Sequence, residues 1–235
     1  MSIHDPNAVR HEYETEAGLL ARRAAYANAT GPNAPAMVFD AVVEACPRRF
    51  LEVGCGPGEL AARVQDDLGA ECVAIDISER MVELTRARGV DARVGDVQQL
   101  PFPDATFDCV VAAWMLYHVP DVDRALGELA RVLRPGGRLV AVTNYLDHLQ
   151  ELRELVGASR TAFHFAGEDA EALLRTRFQV VEVRDAAGTA TFADSAAVEA
   201  YVRASAALFG EGIEIPPIAE PLIVRRRPVI FIATK

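Results

Sequence analysis

Apolar and polar residues alternate along the middle of the chain with two different periods. Short, nearly continuous apolar runs predict buried strands, and apolar residues at helical spacing between them predict amphipathic helices. The predicted strands are residues 48–54, 71–77, 91–97, 107–114 and 137–144, and the predicted helices are residues 59–69, 79–89 and 122–137. Strands that alternate with helices indicate an α/β protein with a doubly wound, parallel sheet.

Individual residues mark the helix ends. Ser78 is the expected N-cap of the helix at 79–89, and Gly69 and Gly89 are expected to end the first two helices. Pro135 and Gly136 are expected to close the third. Right-handed crossovers then bring successive loops to one edge of the sheet, and a ligand crevice opens where the strand order reverses.

On both sides of this core the alternation of predicted strands and helices is less regular. Helix formers run through residues 7–29 up to the breaker GPNAP, and a second helix is predicted near 36–46. Beyond residue 144 the chain predicts helices at 168–175 and 194–210, the latter capped by Asp194 or Ser195, and strands at 178–185 and 227–235. We expect one domain, with N-terminal helices in 1–48, the core in 49–144, and final strands and substrate-covering segments (145–167 and 186–225) in 145–235.

Composition restricts the class of protein. The 235 residues are 51% hydrophobic, which suffices for one large core. The chain shows no apolar run of membrane-spanning length and no segment like a signal peptide, so we expect no membrane span and a cytoplasmic location. The net charge of −10 argues against a nucleic-acid partner. We interpret Arg225–Arg227, the one basic run, as a solvated turn rather than a phosphate site.

The cysteines give no sign of a metal site. Cys46, Cys55, Cys72 and Cys109 form no CxxC pair. We expect reduced and mostly buried thiols, and no bound metal.

A glycine-rich loop separates the first core strand from its helix. Gly54, Gly56 and Gly58 allow a tight turn and a close approach of the backbone to a ligand, at the positive end of the helix dipole. A dehydrogenase fingerprint would have its last glycine at position 59, where this chain has Glu59. The loop therefore favours a ligand with less negative charge than a pyrophosphate, although glycines also serve ordinary turns.

Three acids lie near this loop or at the same predicted edge of the sheet. Asp76 comes 20 residues after Gly56, at the spacing of an acid that binds ribose hydroxyls, although such an aspartate can also cap a helix. Asp96 ends the third strand, where it could accept from an exocyclic amine such as that of adenine; alone, it would be an ordinary turn aspartate. Glu52 lies within a buried strand, which a cationic ligand group or a nearby N–H cluster would explain.

At this point the sequence resembles a known family. LEVGCGPGEL, AIDIS, GDVQQLPFPDATFDCVVAAWMLYHVPD and LARVLRPGGRLVAVT resemble, in order and at fitting distances, the motifs of class I S-adenosylmethionine-dependent methyltransferases. The resemblance covers about residues 49–144 and is strongest to the ubiquinone/menaquinone-type and small-molecule subgroup. It implies a seven-stranded, mostly parallel sheet whose last strand, 227–235, runs antiparallel beside 178–185.

The resemblance also implies where S-adenosylmethionine would bind. Gly54, Cys55 and Gly56 would border the methionine portion with Glu52 close behind, and Tyr13 would close over its carboxylate. Asp76 would hold the ribose. The remaining implied contacts are Ile77 and Val97 at the adenine, Asp96 at its amine, and the backbone of Ala113.

Catalytic candidates follow the fourth strand. His118 titrates in the range of a general base, and a structural role in packing the following turn is the alternative. Tyr117 stands where some relatives carry a second histidine that acts on sugar hydroxyls, so the sugar-type pair is absent here.

Residues near the predicted crevice are candidates for contact with the acceptor. These are Trp114, Tyr145, His148 and His164. The alternative explanations are a polar loop after the fifth strand and, for the aromatic rings, ordinary core packing, where such residues are found more often. The number of aromatic residues favours a planar or lipophilic acceptor.

The leading hypothesis is methyl transfer to a small organic molecule on oxygen, nitrogen or carbon. One alternative is a protein of this fold that uses S-adenosylmethionine without methyl transfer. A nicotinamide-dependent oxidoreductase and a binding protein with a degenerate site are the others. The sequence leaves monomer and homodimer open.

Overall fold

The computed structural model describes residues 3–13, 15, 17–159, 163–210 and 212–235. The helices are α1 (Pro6–Glu12), α2 (Ala17–Ala24), α3 (Ala34–Ala45), α4 (Glu59–Leu68), α5 (Glu79–Ala87), α6 (Val122–Val132), α7 (Gln150–Leu155), α8 (Gly167–Arg175), α9 (Ser195–Arg203) and α10 (Ala206–Phe209). The strands are β1 (Arg49–Val53), β2 (Glu71–Asp76), β3 (Asp91–Val94), β4 (Phe107–Ala113), β5 (Leu133–Asn144), β6 (Val180–Asp185), β7 (Gly188–Phe192), β8 (Leu222–Arg226) and β9 (Pro228–Thr234).

Seven strands form the main sheet in the order β3-β2-β1-β4-β5-β9-β6. β1 to β5 are joined by parallel pairs, and β9 lies antiparallel between β5 and β6. This arrangement confirms the predicted doubly wound, mostly parallel sheet with an antiparallel last strand. The strand order reverses between β1 and β4, which places the ligand crevice at the loop after β1.

Helices cover both faces of this sheet. Leu129 of α6 and Leu174 of α8 are fully buried on one face. Val38 of α3 and Val64 of α4 are buried on the other. Each such side chain stabilises the fold by roughly 1.5–3 kcal/mol. Burial on both faces explains why the core strands read as continuous apolar runs.

A second, two-stranded sheet lies in the segment that we predicted only as a cover. β7 and β8 pair antiparallel, with Gly188 opposite Arg226. Phe192, Tyr201 and Val224 form a third buried cluster with residues around α7, α9 and α10. The interpretation of 225–227 as a turn is therefore wrong for Arg225 and Arg226, because pairing with β7 extends the chain there.

Two predicted helices end earlier than expected. The segment 7–29 contains two helices, α1 and α2, and the carbonyl of Tyr13, the C-cap of α1, accepts a hydrogen bond from the Ser78 hydroxyl at 2.9 Å. The helix predicted over 122–137 ends at Val132. The Val132 carbonyl accepts a hydrogen bond from the N–H of Thr106 at 2.8 Å, and Leu133 pairs with β4.

In the part of the chain that the structure describes, no helix has the length and apolar character needed to cross a membrane. Cys55, Cys72 and Cys109 are buried and Cys46 is exposed, and all four are free thiols.

Candidate functional site

Three glycines shape the loop between β1 and α4, each in the left-handed region of the backbone. The φ angles of Gly54, Gly56 and Gly58 are +68°, +54° and +76°. A Cβ at Gly54 would lie 2.7 Å from the Met115 side chain, and one at Gly58 would lie 2.5 Å from that of Thr85. A Cβ at Gly56 would have no atom within 4 Å. Packing therefore requires the outer two glycines, whereas the middle one borders open space.

Asp76 connects the end of β2 to this loop. Its carboxylate accepts from the N–H groups of Gly56 and Ser78, both at 2.9 Å. Burial raises its pKa above the usual value, against these two hydrogen bonds. Ser78 caps α5 through its own hydroxyl, as predicted, at 3.3 Å from the Met81 nitrogen. The helix therefore has a side-chain cap without Asp76, whose carboxylate faces the crevice.

Glu52 is buried in β1, on the sheet face covered by α4. Its Oε2 accepts a hydrogen bond from the Ala61 N–H at 3.0 Å. The first turn of α4 therefore supplies a backbone N–H partner, one of the two explanations given for a buried acid in this strand. Burial raises its pKa to about 8, and the negative charges of Asp76 and Glu59 act in the same direction. A cation bound beside Glu52 would favour its ionised form.

The loop after β3 places Asp96 and Val97 at the far side of the crevice. The Asp96 carboxylate accepts from the backbone N–H of Gln98 at 2.8 Å and from its side-chain amide at 2.9 Å. Gln98 lines the same cavity and was not identified from the sequence. The local signal that could have identified Gln98 is the aspartate two residues before it. An aspartate side chain often accepts the backbone N–H of the second residue after it, which holds that residue beside the carboxylate.

The N-terminal helices cover the glycine loop. The Arg22 guanidinium lies 5.2 Å from the centre of the Tyr13 ring. Arg23 forms an ion pair with Glu59 at 2.6 Å, and Arg88 approaches the same carboxylate at 3.7 Å. These contacts hold α2 over the start of α4 and balance the charge of Glu59.

His118 ends a 3₁₀ turn, Leu116–His118, after β4. Its Nδ1 lies 3.2 Å from the Ile3 carbonyl, which can only accept, so the ring proton is on Nδ1 and Nε2 carries the lone pair. Burial lowers its pKa to about 4. Tyr117 packs beside it, with its ring 5.5 Å from that of Phe163. A neutral, weakly basic His118 fits packing and orientation better than proton abstraction.

His148 belongs to a buried hydrogen-bonded chain of side chains. Its Nδ1 accepts the Arg227 N–H at 2.9 Å, which leaves the ring proton on Nε2, 3.4 Å from the Tyr26 hydroxyl. The hydroxyls of Tyr26 and Tyr201 lie 2.8 Å apart. Burial, with the charges of Arg153 and Arg226, lowers the pKa of His148 to about 3. Tyr26 was not among the predicted site residues.

Two candidates for acceptor contact lie outside the cavity lining. Tyr145 packs under the guanidinium of Arg227, 4.9 Å from its ring centre. His164 stacks on His4, with ring centres 3.7 Å apart. Trp114, by contrast, lines the cavity from a left-handed backbone position at φ +53°.

One cavity of about 990 Å³ brings these parts together, at the upper end of the range for small-molecule sites. We call the part beside Gly54, Gly56 and Asp76 the loop end. The aromatic end is the part beside Tyr26, His148, Tyr201 and Phe209. The predicted residues that line the cavity are Tyr13, Glu52, Gly54, Cys55, Gly56, Asp76, Ile77, Asp96, Val97, Ala113, Trp114, Tyr117, His118 and His148.

The fold and this crevice define a doubly wound α/β protein with its ligand site at the strand-order reversal. A family model described as a methyltransferase domain matches residues 51–141. The O-methyltransferase rstn1 of Aspergillus nomiae is 34% identical over 157 residues, which cover 60% of this chain and 70% of that protein. The chain therefore belongs to the class I S-adenosylmethionine-dependent methyltransferases, the family of the predicted resemblance.

Two further comparisons agree. The demethylmenaquinone methyltransferase of Thermus thermophilus is 41% identical over 110 residues, 44% of this chain, and the match spans half (50%) of that relative's length. The solved structure of a SAM-dependent methyltransferase from Thermotoga maritima shares the fold with a TM-score of 0.60. It is 24% identical, and the match covers 96% of this chain and 99% of that one.

Proposed function

We propose that this protein transfers the methyl group of S-adenosylmethionine to a small organic acceptor that is planar or lipophilic. The observation that carries the proposal is the single cavity, in which the predicted cofactor residues at the loop end share one space with tyrosine and phenylalanine rings at the aromatic end. An acceptor in the aromatic end would lie next to a cofactor in the loop end. The atom that is methylated is oxygen, nitrogen or carbon.

In this proposal Asp76 holds the ribose hydroxyls, since its carboxylate is fixed by two backbone N–H groups at the crevice. Asp96 and Val97 border the adenine, with Ile77 on its other side. The backbone of Gly54, Cys55, Gly56 and Ala113 borders the methionine portion. Tyr13 and the neighbouring Arg22 bind its carboxylate, and Glu52 faces its amine.

The bound cofactor supplies an activated methyl group on a sulfonium centre, so the chain's residues act mainly by positioning. Trp114 and Tyr117 orient the acceptor beside the methyl group. The Nε2 lone pair of His118 can accept a hydrogen bond from an acceptor hydroxyl or amine. Because burial lowers its pKa to about 4, His118 acts by orienting the acceptor rather than as its general base.

The first experiment is calorimetric titration of the full chain with S-adenosylmethionine, S-adenosylhomocysteine and NAD. We expect the two sulfur compounds to bind and NAD not to bind. The Asp76→Ala variant should bind them about 10- to 150-fold more weakly, corresponding to roughly 1.5–3 kcal/mol for hydrogen bonds to a charged group.

Asp91→Ala is the matched control, because Asp91 is an exposed acid on the neighbouring strand β3 and pairs with Arg93 outside the cavity. It should bind like the wild type. Unchanged affinity in a folded Asp76→Ala variant would contradict the ribose placement. The alternative function, cofactor binding without methyl transfer, predicts acceptor consumption with no S-adenosylhomocysteine formed and no methyl gain by mass spectrometry.

A further inference from the structure

Charge is distributed unevenly along the cavity. Among the described residues that line it, the acidic ones are Glu52, Glu59, Asp76 and Asp96, all around the loop end. Arg22, Arg23 and Arg63 line the cavity as well, and Arg23 is paired with Glu59; the aromatic end is lined by Arg153 and Arg226, with no acid among its described residues. An acceptor that fills this end therefore meets cationic and neutral groups rather than carboxylates.

Arg226 faces this end because of its position in β8. Successive side chains of a strand point to opposite faces, and Arg226 is half-buried on the face of buried Val224, whereas Arg225 is exposed on the other. The Arg226 guanidinium lies 5.3 Å from the centre of the Tyr26 ring and donates to the Thr30 carbonyl at 3.2 Å. Its hydrogen bond is thus to a neutral group.

The neighbouring arginines differ from Arg226 in their partners. Arg225 forms ion pairs with Glu151 at 2.7 Å and Asp147 at 3.5 Å, and Arg227 lies 3.7 Å from Asp147. No ion pair joins Arg226 to an acid among the residues of the described ranges. Within that part of the chain, no acid compensates the positive charge of Arg226 at the cavity.

Arg153 approaches the same place from α7. It is buried, donates through Nη1 to the His148 carbonyl, and lies 5.9 Å from the centre of the Phe209 ring. Arg226 lies over the ring of Tyr26, whose hydroxyl is 3.4 Å from Nε2 of His148, so both arginines border the same part of the cavity.

Among the described residues, the other polar groups at this end carry no charge that would oppose an anion. Burial raises the pKa of Tyr26 and of Tyr201, so both phenols stay protonated at neutral pH. With its pKa lowered to about 3, His148 is neutral. The two guanidinium groups therefore set the charge that a ligand meets there.

We propose that the acceptor carries a carboxylate or another anionic oxygen group, and that Arg226 together with Arg153 binds it at the aromatic end beside Tyr26. A guanidinium in a site walled by aromatic rings binds an anionic oxygen strongly, because water screens the charges less. The planar part of the acceptor packs against Tyr201 and Phe209. This substrate class rests on the proposed methyltransferase function and refines it.

The test uses the full chain saturated with S-adenosylhomocysteine and matched pairs of probes that differ in charge but not in shape. The pairs are benzoate with benzamide, 2-naphthoate with 2-naphthamide, and octanoate with octanamide, each titrated calorimetrically. We expect at least one carboxylate to bind about tenfold more tightly than its amide. Arg226→Gln should remove that preference, and Arg226→Lys, which keeps the charge, should retain part of it.

Arg225→Gln is the matched control, because Arg225 neighbours Arg226 in the same strand but points away from the cavity. It should keep the preference. Equal affinities, a preference for the amides, or no binding of any carboxylate by a chain that binds S-adenosylhomocysteine overturns the anionic acceptor and leaves the proposed function intact. A chain that binds neither S-adenosylmethionine nor S-adenosylhomocysteine overturns the proposed function itself.

Discussion

Glu52 shows how one buried side chain can couple ligand binding to protonation. Burial raises its pKa to about 8, so most of it is protonated at pH 7 without a ligand. A positively charged methionine amine or sulfonium beside it would lower this pKa, and the carboxyl would release a proton on binding. The same acid that is costly in an apolar strand thus becomes favourable when a cation is bound.

We predict that S-adenosylmethionine binding at pH 7 releases a substantial fraction of one proton from Glu52. Affinity should rise as the pH rises from 6 toward 8, because less Glu52 then has to lose a proton on binding; above that range the α-amine of the ligand titrates as well. Calorimetry in buffers of different ionisation enthalpy measures the proton release. Glu52→Gln, which keeps the shape and an oxygen acceptor for Ala61, should lose this contribution; equal proton release in wild type and variant would contradict the prediction.

At the scale of elements, the turn from β1 to α4 depends on its glycines for different reasons. Gly56 and Gly58 both have positive φ, which costs an L-residue roughly 1–2 kcal/mol. Only at Gly58 does a Cβ also collide with α5, at 2.5 Å from Thr85. Gly58 is therefore packed tightly against α5, whereas Gly56 borders the cavity.

We predict that Gly58→Ala destabilises the fold more than Gly56→Ala, by roughly 1–3 kcal/mol as expected for overpacking. Urea unfolding of the two variants measures the difference. Thr85→Ala in the Gly58→Ala background should recover part of the loss by removing the collision. Equal destabilisation of both variants would show that backbone strain alone governs this loop.

At the scale of the whole molecule, buried titratable groups make stability depend on pH in two opposing ways. The folded pKa values of His118 and His148, about 4 and about 3, are below the usual value of 6.5. Their contribution to the free energy of unfolding is therefore complete above pH 6.5 and is lost as the pH falls toward 4, because the unfolded chain binds protons first. The folded pKa of Glu52, about 8, exceeds its usual 4.5, so its contribution is complete below pH 4.5 and is lost as the pH rises through 8.

We predict a stability maximum near pH 6 in the unliganded protein. The free energy of unfolding should fall on the order of 2 kcal/mol between pH 6.5 and 8.5 because the unfolded chain ionises Glu52 at lower pH than the folded one. Urea unfolding across this range measures it. Glu52→Gln should flatten the alkaline fall, and a fall of the same size in that variant would assign it to other groups, such as the buried thiols.

The central sheet and the loop end of the cavity could be predicted from local sequence patterns. The alternation of strands and helices is a local periodicity, and Glu52, the three glycines and Asp76 lie within two successive βα units. Residues close in sequence and placed by regular elements meet at a predictable edge of a parallel sheet. The ligand roles of these residues stay predictions until binding is measured.

The aromatic end could not be predicted in this way, because it is assembled from segments that are distant in the sequence. Tyr26 follows α2, His148 follows β5, Tyr201 lies in α9 and Arg226 in β8, so the cluster joins segments that no local pattern relates. It forms because β7 pairs with β8 and the N-terminal helices close over that unit, contacts that depend on packing between distant segments. The extended β8 strand places Arg226 on the face of buried Val224, toward the cavity, whereas Tyr145 packs against the main core and His164 stacks on His4.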